Sequence, residues 1–165
     1  MKIRRLKNTD AQYMLEWMHD KNVTQYLSKS FAIKKIDDCI AFIDNSNTDK
    51  EMHLAIVNDN DEYMGTVSLK NINKVEKYAE FAITVRSCAM GKGYSLFGMN
   101  EILNIAFEQL QLKYIVWCVK NDNIRAVRFY EKNGFQQFDQ VPLEIRMMYS
   151  EDDVLWYYVQ NEHIQ

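Results

Sequence analysis

Apolar positions change their period several times along this chain, and each change marks an element. Lys2 to Leu6 reads as a short opening strand. Thr9-Asp10 then offers a cap, and Tyr13, Met14, Trp17 and Met18 form the apolar face of a helix ending near His19. Val23 to Leu27 reads as a turn or broken helix. Lys35 to Ile43 predicts a helix, with Ile36, Ile40 and Ile43 on one face and Asp37 and Asp38 in the first turn, where the helix dipole favours acids. His53 to Val57 and Tyr63 to Leu69 read as strands either side of the polar turn Asn58-Asp59-Asn60-Asp61, with Tyr78 to Val85 as the next antiparallel neighbour.

The second half is more apolar. Tyr94 to Leu110 carries Leu96, Met99, Leu103, Ala106, Phe107 and Leu110 at helical spacing. Tyr114 to Val119 is a near-continuous apolar run, the pattern of a strand covered on both faces. Asn123 to Lys132 predicts another helix, capped by Asn123 and closed by Gly134. Val154 to Val159 is a final strand, while Gln136 to Asp139 and Glu144 to Tyr149, either side of Pro142, carry no clear period. This order predicts an α/β (α+β) fold, a mixed sheet with helices on both faces.

Composition narrows the class. A chain of 165 residues with 47% hydrophobic content reads as one domain, residues 1–165, with a sizeable core. A net charge of −3 gives no support to a nucleic-acid partner, which needs a basic stripe. Cys39, Cys88 and Cys118 have no zinc spacing and fit reduced thiols in a cytoplasmic protein. No apolar run reaches the length of a signal or a membrane span. His19, His53 and His163 are far apart, show no metal or Ser/His/Asp spacing, and read as non-catalytic.

The candidate chemistry begins at Ala79 to Ser95, a strand, a Gly91-Lys92-Gly93 turn and the start of a helix. Backbone N–H groups converging beside a helix N-terminus make an anion site. The P-loop pattern is missing, and the Rossmann fingerprint fails at Leu96, where its third glycine belongs. Two glycines alone equally suit a tight turn.

Asn123-Ile-Arg-Ala-Val-Arg-Phe-Tyr-Glu-Lys-Asn-Gly-Phe135 resolves the choice. Together with Met90-Gly-Lys-Gly-Tyr-Ser95 it resembles the two signature blocks of the GNAT N-acetyltransferases, in order and spacing. Met90 stands where that family carries Gln or Arg, and Ser95 where it carries Gly or Ala. The resemblance implies acetyl-CoA as cosubstrate, and a mainly antiparallel twisted sheet in which a splayed strand pair holds it. It places Met90, Gly91, Lys92, Gly93, Tyr94 and Ser95 at the pyrophosphate, Val85 at the pantetheine and thioester, and Asn123 near the pantetheine arm. Tyr130 becomes the acid for the departing thiolate and Glu80 the base, with a surface glutamate paired to Lys77 as its bland alternative. The expected reaction is direct acetyl transfer to the primary amine of a small molecule, an amino sugar or similar. Two alternatives stand beside it: acetylation of a protein N-terminus, and a non-catalytic acyl-CoA-binding module. Glu16, Asp20 and Glu80 are the acids expected to draw in a cationic amine. No nucleic-acid or membrane partner is expected, and the chain is expected to be a monomer or homodimer.

Overall fold

Alternation along the central strands sorts their side chains onto two faces, each covered by its own helices. A computed structural model describes residues 1–27, 31–149 and 153–161. Its sheet has seven strands: β1 (Lys2–Arg5), β2 (Met52–Val57), β3 (Tyr63–Asn73), β4 (Tyr78–Val85), β5 (Tyr114–Lys120), β6 (Gln136–Gln137) and β7 (Val154–Gln160). They lie in the order β1-β2-β3-β4-β5-β7-β6. Every pairing is antiparallel except β4 with β5.

Three helices, α1 (Ala11–His19), α2 (Lys21–Thr24) and α3 (Ile36–Asp44), precede β2. Trp17, Met14, Cys39 and Ile43 pack on Ala55, Val57 and Tyr63, so α1 and α3 cover one face of the β1–β3 region. On the other face, α4 (Tyr94–Asn104) and α5 (Ile124–Lys132) close a larger core around Leu54, Ile56, Phe81, Met99 and Trp117. A short α6 (Leu143–Arg146) lays Ile145 on Tyr78 and Val116.

The strand and helix expectations hold with four differences. The strand expected over Tyr63 to Leu69 runs on to Asn73. Asp10 does not cap α1. It forms the ion pair of Arg4, at 2.7 and 2.9 Å, and takes the Lys7 amide at 2.9 Å, because a 3₁₀ turn precedes the helix and uses its oxygens. The helix expected through Leu110 widens after Asn104 into a π-type turn, closed by the Leu110 amide on Ile105 O at 3.0 Å. The unassigned segments around Pro142 form β6 and α6. Gly98 has a plain steric reason: a Cβ there would stand 2.3 Å from Ile56 Cδ1, so α4 approaches the sheet only without a side chain.

Candidate functional site

Parallel pairing between β4 and β5 covers only Tyr78–Tyr114, Ala79–Ile115 and Glu80–Val116. Beyond Glu80 and Val116 the two strands run on to Val85 and Lys120 without pairing to each other, and a gap opens between them. The splayed pair is therefore present. At the open end of β4, Ser87–Ala89 make a 3₁₀ turn into the glycine loop. Gly91 and Gly93 sit at φ +73° and +86°, in the left-handed region, and Gly93 is the cap residue of α4. With no side-chain cap there, the first-turn amides of α4 are left to an outside acceptor. A Cβ at Gly91 would meet nothing within 4 Å, so the loop presents bare backbone to open space. These features suit a phosphate-bearing ligand such as acetyl-CoA. Lys92 is exposed, while Met90 packs against the cores on both faces of the sheet and lies 2.8 Å from Arg125 Nη1 through its sulfur.

Asn123 caps α5, its side chain accepting the Ala126 amide at 3.2 Å. Tyr130 on the same helix is buried, its ring 5.2 Å from both Trp117 and Tyr157. Burial pushes the phenol well above its ordinary value. It therefore stays protonated across neutral pH, and is a weaker acid than a free phenol. Among the described residues its hydroxyl has no hydrogen-bond partner.

Glu80, the last residue of β4 paired with β5, is 2% exposed and lies on the opposite face from Tyr130. Its Oε1 accepts Lys70 Nζ at 2.8 Å and Tyr149 OH at 2.6 Å, and Oε2 accepts Asn71 Nδ2 at 2.8 Å. It is neither a surface residue nor a partner of Lys77. The other two acids expected to attract an amine are also engaged. Glu16 forks onto Arg86 at 3.1 and 2.8 Å, and Asp20 caps α2 and receives the Ser87 hydroxyl.

A cavity of about 330 Å³ lies between α1, α3 and the β2–β4 face, within the range of small-molecule sites. Trp17, Met14, Met18, Phe31 and Phe42 make its apolar wall, and His53, Thr66, Ser68 and Thr84 its polar wall. Half-exposed Lys34 and Asp38, 3.4 Å apart, stand at its mouth. The strand register explains the polar wall. His53 pairs with Ser68 and Ser68 with Ala82, in the row beyond Lys70–Glu80; Thr66 pairs with Thr84 in the next. Sequence reasoning missed these residues. A hydroxyl alternating with Val67 and Leu69 reads as a solvent-facing position, and only the helices above turn that face into a wall.

The geometry has counterparts among known proteins. Residues 1–136 match the model of the acetyltransferase (GNAT) domain family. The acetyltransferase PseH of Campylobacter jejuni (strain 81-176) is 23% identical over 135 residues, 82% of this chain and 82% of that protein. The spermidine N(1)-acetyltransferase of Escherichia coli (strain K12) is 27% identical over 141 residues, 82% and 72% of the two chains. The solved structure of spermidine N-acetyltransferase from Vibrio cholerae with CoA and spermine superposes at a TM-score of 0.80, with 22% identity and coverage of 96% of this chain and 94% of that one.

Proposed function

The chain belongs to the GNAT acetyltransferase family, and from that membership we propose that it moves the acetyl group of acetyl-CoA directly to the primary amine of a small molecule, an amino sugar or a similar compound. The observation that carries this reading is the uncapped first turn of α4, set behind two left-handed glycines at the open end of β4. In this reading the backbone of Gly91, Gly93, Tyr94 and Ser95, with Lys92, holds the pyrophosphate, and Met90 anchors the loop to the core. Val85 offers its backbone to the pantetheine and thioester, and Asn123 supports the pantetheine arm. Tyr130 gives a proton to the departing sulfur, its burial keeping that proton in place until charge develops. Glu80 stands at the apex of the gap as a proton acceptor, direct or through water.

The cavity favours a hydroxyl-bearing amine over a polyamine. Its lining offers hydroxyls and an aromatic wall, with one cation and one acid at the mouth. A polycation needs several unpaired carboxylates, and Glu16, Asp20 and Glu80 are all engaged. The helices α1 and α3 roof the cavity, which suits a compact acceptor better than the extended chain of a protein N-terminus. Thiol release from acetyl-CoA, measured with amino sugars, spermidine and N-terminal peptides, tests this. Amino sugars should give the highest kcat/KM. Spermidine or a peptide ahead of them overturns the acceptor class, and no turnover with intact acetyl-CoA binding leaves a binding module.

The same reading takes the enzyme as a cytoplasmic monomer or homodimer. None of the three cysteines is in a disulfide, as in a reducing compartment, and among the described residues no helix is long and apolar enough to cross a membrane. The Vibrio cholerae spermidine enzyme has a dodecameric structure. Light scattering on the purified chain separates a monomer or dimer from a dodecamer.

A further inference from the structure

Three residues with no role so far form a chain of hydrogen bonds that ends in the cavity. Ser68 Oγ lies 2.7 Å from His53 Nδ1, and His53 Nε2 lies 3.2 Å from Glu51 Oε2. A carboxylate only accepts, so Nε2 carries the imidazole proton and donates it to Glu51. Nδ1 then has a free lone pair, and the Ser68 hydroxyl donates to it. Sequence spacing hid this arrangement, because strand pairing brings Ser68 beside His53.

We propose that Ser68 and His53 form the proton relay for the acceptor amine, with Glu51 holding the imidazole in the tautomer that can accept. The inference rests on the acetyl-transfer reading above and puts this relay in place of Glu80 as its proton acceptor. Ser68 lines the cavity and sits beside Ala82, one row beyond Glu80 on the strand that leads to Val85. The amine nitrogen attacks the thioester carbon, so the C–N bond forms and the C–S bond breaks. The nitrogen gives one proton to Ser68 Oγ as Ser68 passes its own to His53 Nδ1. Tyr130 gives one proton to the departing sulfur. Exchange with solvent then removes the extra proton from His53 and returns one to Tyr130, so protons balance over the cycle.

The surroundings suit the imidazole to this part. His53 is 5% exposed, and its ring lies 4.6 Å from that of Phe42 on α3. The charged groups acting on it are Glu51 ahead of β2 and Lys70 on β3, the latter paired in turn with Glu80 on β4, and Lys34 and Asp38 line the same cavity. Burial lowers its pKa below the ordinary imidazole value, Glu51 opposes that, and Lys70 adds to it. The ring is therefore neutral and able to accept at neutral pH. Glu80, by contrast, has both oxygens already occupied by Lys70, Tyr149 and Asn71.

The test uses the full chain and any amine the wild type acetylates, with chemistry established as rate-limiting. His53→Gln and Ser68→Ala should each lower kcat by about 10²-fold or more, the usual worth of positioned proton transfer. Acetyl-CoA affinity by calorimetry should stay within about threefold, and added imidazole should restore part of the His53→Ala rate. The acid limb of the kcat/KM profile should vanish in His53→Gln and persist in Glu80→Gln. A His53→Gln enzyme that keeps its kcat and its acid limb overturns the relay, and the reverse result for Glu80→Gln gives the proton to Glu80. Nitrogen-15 chemical shifts of His53 give a readout independent of activity: the proton should sit on Nε2, and a proton on Nδ1 overturns the relay even in a variant that folds poorly. A wild type that turns over no amine removes the acetyl-transfer reading and the relay with it, whereas turnover surviving in His53→Gln removes the relay alone.

Discussion

Tyr130 joins packing to chemistry in a single side chain. Its ring touches Trp117, Phe129, Phe135 and Tyr157, so the aromatic body is core whatever the hydroxyl does. Tyr130→Phe keeps that body and removes only the proton. Stability should change by no more than about 1 kcal/mol. The turnover number should fall by about 10²–10⁴-fold, the usual range for a general acid. A raised KM with turnover spared returns the hydroxyl to a binding role. His53 makes a second prediction at this scale, about stability. Its folded pKa lies below its unfolded one, so between the two the unfolded chain binds more protons. The stability difference is complete above the unfolded value near 6.5 and is lost as pH falls toward the folded value. Chemical denaturation from pH 7.5 down to 5 should show wild type losing more stability than His53→Gln; equal slopes reject the assignment.

At the scale of elements, the starts of α4 and α5 are built for different tasks. The Asn123 side chain satisfies a first-turn amide of α5, whereas Gly93 has no side chain to do the same for α4. Asn123→Ala should therefore cost about 1 kcal/mol of stability through lost capping. If Asn123 also holds the pantetheine arm, acetyl-CoA affinity falls as well, and calorimetry beside thermal melts separates the two effects. Gly93→Ala puts a Cβ on a residue at φ +86°, a strain of about 1–2 kcal/mol. The loop should relieve that strain by moving its amides, so acetyl-CoA should bind about tenfold more weakly or worse. An unchanged dissociation constant removes the glycine loop from the cofactor site.

For the molecule as a whole, the gap after Glu80 has a mechanical consequence. Three residue pairs and the Lys113 amide on Lys77 O join β1–β4 to β5–β7–β6, and side-chain packing supports that short seam. Trp117 is central to that connection: 1% exposed, it packs against Phe81 across the gap, and against Tyr130, Phe135 and Tyr157. Trp117→Ala should cost about 3–5 kcal/mol, as large buried aromatics do. It should also weaken acetyl-CoA binding at temperatures where the variant is still folded, since this cluster packs across the gap where the cofactor site is proposed. A variant that loses stability and keeps full affinity places the cluster's role in folding alone.

What the sequence determined by itself was whatever depends on neighbours along the chain. Periods of two and of three to four residues placed the strands and helices, because apolar burial repeats with the element's own geometry. The strand–glycine–helix unit at Gly91 to Ser95 and the capped block at Asn123 to Phe135 were legible for the same reason, since their chemistry lies in contiguous backbone. Tertiary structure decided what depends on residues far apart. Register set His53 against Ser68 and Lys70 against Glu80, and helix packing roofed a face that reads as solvent-exposed. It also gave Glu16 to Arg86 and Asp20 to Ser87, acids that read as available until their partners are placed. A local pattern carries the direction of a side chain relative to its own element; only packing between elements decides which charges are neutralised, and which polar groups meet inside a cavity.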